Sequence, residues 1–321
     1  MATSKNRFAD LWQITKKTSV SWYNSDPFRQ AAVISYYAIF SIPALLVIVI
    51  TTAGFFFGEE AVSGAISGQI SSVMGNETAQ QIEDIVAKSS QTQTSIIATI
   101  IGIITLILGA TGVFVQLQKS LDLIWEVEPK AEKALLKSLK DRLFSFGLIM
   151  SIGFLLLISL LISAGLSVLS EWIRGIMPDV MMVLFRVLSF VISFGVVTVL
   201  FALMFRILPD VKIRWRDVWL GAMITSLLFV AGKFLLGLYF GKADPGSAYG
   251  AAGSIILIML WVNYSSMIVF YGAEFTKQYA LHHGREIEPK RDAVVIRATE
   301  AEKQIAEKRH GVKGVELGGS H

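Results

Sequence analysis

The chain has 321 residues, of which 53% are hydrophobic and only 17% charged, with a formal net charge of +4. Soluble domains carry about 25% charged residues, so this composition and a mean hydropathy of +0.58 point to the membrane class. The absence of cysteine excludes disulfides, thiolate metal sites and cysteine nucleophiles.

Residues 1–28 read as a cytoplasmic interfacial helix. Phe8, Leu11, Trp12 and Trp22 alternate with Lys16 and Lys17, a pattern that sets aromatics at headgroup level and lysines toward anionic lipid. Charges are scattered through 1–29 with no short apolar run before a cleavage site, so the stretch does not read as a secretory signal.

Six apolar blocks follow, at 30–57, 94–117, 143–169, 180–208, 218–240 and 248–275. Each reaches the roughly 20 residues that cross about 30 Å of hydrocarbon. Several are longer, which predicts tilt or ends that emerge from the bilayer. Pro43 predicts a kink in the first block. Between the first two blocks, Val62, Ile66, Ile70 and Val73, then Ile82, Ile85 and Val86, recur at helical spacing with a break at Gly75 and Asn76. That spacing predicts two short amphipathic helices. Residues 281–321 read as a cytoplasmic charged tail, partly disordered, with one short helix around 298–308. The fold class expected is an all-α integral membrane protein. It has a six-transmembrane-helix bundle at 29–280, an N-terminal interfacial helix and short periplasmic helices within an insertion at about 58–93.

The basic residues set the orientation. They gather before the first block, in the second connection (Lys119 through Arg142), around the fourth-to-fifth turn (Arg206, Lys212, Arg214, Arg216) and in the tail. Residues 58–93 instead hold Lys88 alone against Glu59, Glu60, Glu77, Glu83 and Asp84. The connections near 171–178 and 241–247 hold only Arg174 and Lys242. By the positive-inside rule both termini are cytoplasmic in a bacterial inner membrane, and 58–93 is periplasmic. Topology explains the basic charge, so no nucleic-acid partner is expected.

Enzyme machinery is not legible. The four histidines (His282, His283, His310 and His321) all lie after the last block, and no zinc-type pair, phosphate loop or nucleophile elbow occurs. No metal, no cofactor and no catalytic residue is expected. The informative groups are ionisable residues inside the blocks, because each costs about 2.5–3.5 kcal/mol on insertion scales. Arg186 and Lys233 fall in the periplasmic half by rise per residue, while Arg206 and Glu274 fall near the cytoplasmic ends. Arg186, Lys233, Asn263, Tyr264 and Glu274 are therefore the candidate substrate-binding residues. Pro43, Gly232, Gly237, Gly250 and Gly253 are candidates for helix packing or hinging.

Three stretches taken together resemble a known family: AAVISYYAIFSIP from Ala31, LPDVKIRWRDVWLGAMITSLLFVAGKFLLGLY from Leu208, and YGAAGSIILIMLWVNYSSMIVFYGAE from Tyr249. They are similar to the YihY / virulence factor BrkB family of bacterial inner-membrane proteins. Ile42-Pro43 stands where members often carry two adjacent prolines. The resemblance covers roughly 25–280 and implies a six-helix bundle with both termini inside. It also implies an association with serum resistance and with export of lipid or lipopolysaccharide precursors. The old family label ribonuclease BN implies histidine-rich metal motifs that this chain lacks.

Three function classes follow. The leading expectation is a transporter or flippase for an anionic lipid or lipid-linked precursor, with membrane lipids as partners and either a monomer or a homo-oligomer as the unit. The alternative is a non-transporting scaffold that binds a partner through basic cytoplasmic loops and the tail. A lipid-modifying intramembrane enzyme using Glu274 or Tyr264 ranks third, and a ribonuclease last.

Overall fold

The computed structural model describes residues 4–74, 79–80, 83, 96–130, 179–243, 253–290 and 293–296. Within them the helices are α1 (Ser4–Asn24), α2 (Pro27–Phe57), α3 (Glu59–Met74), α4 (Ile96–Ile124), α5 (Asp179–Ile207), α6 (Trp215–Ala243) and α7 (Gly253–His282). Two short strands, β1 (Val127–Pro129) and β2 (Ala293–Val295), complete the described elements. The block at 143–169, the second amphipathic stretch near 82–86 apart from Glu83, Gly250 and the expected helix at 298–308 lie outside them.

Five apolar blocks fall on α2, α4, α5, α6 and α7, each 29 to 31 residues long. Among the described residues, three segments are long and apolar enough to cross a membrane: Phe190–Ile207, Trp215–Phe240 and Ile255–His282. The helix boundaries have local causes. Pro27 opens α2, where its missing N–H removes no helical bond, and Asp26 before it takes a left-handed φ of 54°. Gly58, at φ 88°, ends α2 with its N–H on the Gly54 carbonyl at 2.8 Å, and α3 starts at the next residue. At the far end of α7, Gly284 adopts φ 67°, and the N–H groups of Gly284 and Arg285 bond the carbonyls of Leu281 and Ala280. That is the Schellman pattern, and it explains why α7 runs seven residues past the expected boundary at 275.

Helix α7 is the hub: α1, α2, α4 and α6 all pack on it, α5 packs on α6, and α3 lies against α2 and α6. Small residues set how closely these helices approach. The Tyr37 ring fills the space beside Gly112, and Gly109 faces the backbone of Phe40 and Ser41. Between α6 and α7, Thr276 fills the notch at Gly221, Thr225 that at Gly272, and Tyr264 that at Gly232. The three contacts fix one antiparallel register over more than ten residues of each helix.

The N-terminal helix stands along α7. Trp22 Nε1 donates to the Met267 carbonyl at 3.2 Å, Ser19 Oγ meets Tyr271 Oη at 3.3 Å, and Asp10 faces His282 at 4.0 Å. As the α1 numbers fall, their α7 partners rise, so the pair is antiparallel. Ile14 and Thr18 are buried in this seam with Trp22 one further turn along. Trp22, expected among the headgroup aromatics, is therefore a packing residue, whereas Trp12 remains 71% exposed.

Candidate functional site

Two polar regions occupy opposite parts of the bundle. The first is the end where α4, α5 and α7 finish and α6 begins. Its core is apolar (Leu121, Trp125, Phe205, Val218, Phe270), yet Asp122, Asp210, Asp217, Glu274 and Lys277 are all buried there. Burying such charges is expensive unless each finds a partner, and here they do. Lys277 Nζ donates to Glu126 Oε1 at 2.9 Å, Gln278 Nε2 to Glu274 Oε1 at 2.8 Å, and the Asp210 N–H to Asp122 Oδ1 at 2.6 Å. Asp217, 1% exposed in the first turn of α6, forms an ion pair with Arg285. Burial, and then the positive charges of Arg214 and Arg216, hold the Arg285 guanidinium below its ordinary range.

Residues 285–290 and 293–296 tie this end together. Expected as part of a charged tail, the described portion instead crosses the helix ends as a strap. The Lys212 N–H bonds the Glu288 carbonyl at 2.8 Å, Val211 bridges Pro289, and the Lys290 N–H bonds the Asp210 carbonyl at 2.8 Å. Lys290 Nζ caps the Ile207 carbonyl at the end of α5 at 3.0 Å. Strand β2 then pairs antiparallel with β1, Val295 opposite Val127 and Ala293 opposite Pro129. Arg206 stays at this end too, donating to the Ile213 carbonyl with its guanidinium 5.8 Å from the Trp215 ring.

The second region is the level of Lys233. The α6–α7 register puts Tyr264 against Gly232 and thus brings Lys233 and Tyr264 to one height, with Asn263 beside them in sequence. Lys233 is half-buried, and no carboxylate pairs with it among the described residues. By rise per residue, Lys233 stands roughly 27 Å from the start of α6 and Arg186 roughly 31 Å from the end of α5. The two helices are packed neighbours joined by a short turn, so both residues belong to the half remote from the strap.

The candidate set therefore divides. Glu274 sits between Gly272 and Thr276, level with the Gly221–Thr225 turn, roughly 15 Å along the bundle from Lys233. It belongs to the charged end, held by Gln278. Gly232 is a packing notch filled by an aromatic ring. Gly253 is buried at the start of α7, Gly237 lies within α6, and α2 runs through Pro43 without a break. Sequence reasoning missed Asp122, Asp210, Asp217, Lys277 and Arg285. The signal was present in the LPD and WRD triplets, acids set at the edges of apolar blocks. Among the described residues no group of three or more His, Asp or Glu could hold a metal ion.

Comparison with known proteins places these features in a family. A family model described as Virulence factor BrkB matches residues 21–297. A "UPF0761 membrane protein" of Albidiferax ferrireducens is 29% identical over 175 residues, covering 54% of this chain and 39% of that protein. A protein of the same description from Tolumonas auensis is 28% identical over 180 residues, 56% of each chain. One from Teredinibacter turnerae is 22% identical over 287 residues, 89% of this chain and 65% of its own. The alignments thus span between about two fifths and two thirds of these relatives' length. No solved structure matches the chain.

Proposed function

We infer, on the premise that this chain belongs to the virulence factor BrkB family, that it is a six-span inner-membrane protein that moves an anionic lipid or lipid-linked precursor. In this reading both termini are cytoplasmic, the strap faces the cytoplasm, and Arg186 and Lys233 stand in the periplasmic half. The observation that carries it is Lys233, a half-buried cation far from the charged end and without a carboxylate partner among the described residues. A cation at that depth costs about 2.5–3.5 kcal/mol, and an arriving phosphate would offset that cost through a charge-assisted hydrogen bond. Arg186 at comparable depth supplies a second donor set suited to phosphate. Acyl chains would remain between helices in the bilayer. No phosphate-loop motif is present, so the driving force would be a gradient, a partner protein or downhill flow.

Translocation of labelled phosphatidylglycerol in proteoliposomes tests this. Wild type should move lipid, and the Arg186→Gln/Lys233→Gln variant should not; undiminished movement by the variant removes the site assignment. A scaffold reading draws support from Lys212, Arg214 and Arg216, exposed around half-exposed Trp215 and Trp219 at the strap end. It expects the opposite result: neutralising those three cations abolishes function in cells, and the Arg186/Lys233 variant keeps it.

A further inference from the structure

The antiparallel pair of α1 and α7 carries an open groove of about 560 Å3. Gln13, Lys17 and Ser21 recur along it at helical spacing, one position before the 14–18–22 seam, and Asn24 continues it. Lys16 and Val20 complete the α1 side, and Gln278 comes from α7. Two ammonium groups thus stand among three amides and a hydroxyl, all able to donate hydrogen bonds. Lys16 and Lys17 are both exposed, and neither makes an ion pair among the described residues. The acid on the same helix, Asp10, faces His282 instead. The other acid nearby, Glu274, is buried and already accepts from Gln278. Such an open, donor-rich, doubly cationic surface matches an oxyanion with several acceptor atoms, which is the chemistry of a phosphate ester.

The position of the groove says which phosphate ester. At 1.5 Å per residue the 30-residue α7 is roughly 45 Å long, well beyond about 30 Å of hydrocarbon. Part of it therefore emerges from the hydrocarbon, and Lys277, Gln278 and His282 mark its last turns as that part. The contacts of Asp10 with His282 and of Ser19 with Tyr271 bracket Lys16 and Lys17, setting them level with the turn that carries Glu274 and Gln278. On the same helix Leu11, Trp12, Val20 and Tyr23 are exposed, the composition of a surface in contact with a lipid interface. We propose that the groove between α1 and α7 binds the phosphate of an anionic phospholipid headgroup through Lys16 and Lys17. This requires that the chain lie in a membrane but not that it transport anything, and the groove is separate from Lys233.

Native mass spectrometry of the purified full-length protein, delipidated and then offered phosphatidylglycerol, tests the site. Lys16→Gln/Lys17→Gln should retain roughly thirtyfold less lipid than wild type, in keeping with two lost cation contacts. Lys16→Arg/Lys17→Arg, which keeps both charges, should retain it. Lys119→Gln/Lys242→Gln, with two other exposed lysines changed, should retain it as well. Retention reads bound lipid and not its movement, which separates this proposal from the transport reading. Undiminished retention by Lys16→Gln/Lys17→Gln, or an equal loss in Lys119→Gln/Lys242→Gln, overturns it. Glycerol 3-phosphate added at the lipid's concentration distinguishes the two sources of the chemistry. Failure to compete supports the lipid, and binding in its place overturns the lipid assignment in favour of a soluble phosphate ester.

Discussion

Thr225 of α6 and Thr276 of α7 are related by exchange: each fills the notch of the glycine that precedes the other by four residues. Each also donates its hydroxyl to the glycine carbonyl one turn back in its own helix, both at 2.7 Å, and both are fully buried. The hydroxyls thus satisfy themselves locally while their side chains bring two backbones together, the means by which helices associate where no hydrophobic driving force exists between them. A methyl group at either glycine would overlap a threonine oxygen that has nowhere to turn. Gly221→Ala and Gly272→Ala should each lower stability by about 1–3 kcal/mol, the cost of overpacking. Thermal unfolding of the detergent-solubilised protein measures this, and an unchanged midpoint for both variants would remove the notch from the account of the fold.

The ion pair of Asp217 and Arg285 joins the first turn of α6 to the strap, with Asp217 buried and Arg285 20% exposed. Removing one partner leaves the other charge buried and unmatched, which costs about 3–5 kcal/mol in comparable settings. Asp217→Asn and Arg285→Gln should each destabilise strongly. The double variant should cost clearly less than the sum of the two, and strict additivity in that cycle would show that the two side chains do not interact.

Much of the bundle was legible because length and apolarity suffice to mark a long apolar helix. α2, α4, α5 and α6 begin and end within a few residues of the blocks, apart from the C-terminal end of α4, which runs to Ile124. The end of α7 was not legible, since Gln278 and His282 look like tail residues until α1 covers one side of them. The strap was missed for a different reason. Glu288, Pro289 and Lys290 have no periodicity, and their structure comes from backbone bonds to Asp210 and Lys212, whose proximity is tertiary. The charged end shows the same limit. Asp122 and Asp210 are 88 positions apart, and nothing local in either predicts that the carboxylate of one receives the peptide N–H of the other. Lys233 was visible as a cation inside an apolar block, but it is the Tyr264–Gly232 contact that fixes its height along α7.

The strap gives a truncation test. A chain ending after residue 296 keeps the β1–β2 ladder, the Lys290 cap and the Asp217–Arg285 pair. A chain ending after 284 loses all three. The longer truncation product should unfold near the wild-type temperature. The shorter one should be destabilised by several kcal/mol, the buried pair alone accounting for about 3, and should be cut more readily by protease in the 208–214 turn. Equal midpoints for the two products would mean that the strap contributes no net stability.

Lys233 and Glu274, both intramembrane candidates at the outset, now call for opposite outcomes. Lys233 has no carboxylate partner among the described residues, so Lys233→Gln removes the cost of a buried cation and should leave thermal stability unchanged or slightly raised. If it meets a substrate phosphate, the loss of a hydrogen bond to a charged group, about 1.5–3 kcal/mol, should slow lipid movement by roughly 10- to 100-fold. Glu274 is 1% exposed and accepts from Gln278 inside the charged end. Glu274→Gln should therefore lower stability while the folded fraction transports at close to the wild-type rate. Paired measurements of the thermal midpoint and of the translocation rate per folded molecule separate the roles. A Lys233→Gln protein that is destabilised yet transports normally would make Lys233 a structural residue and leave the transport reading without its site.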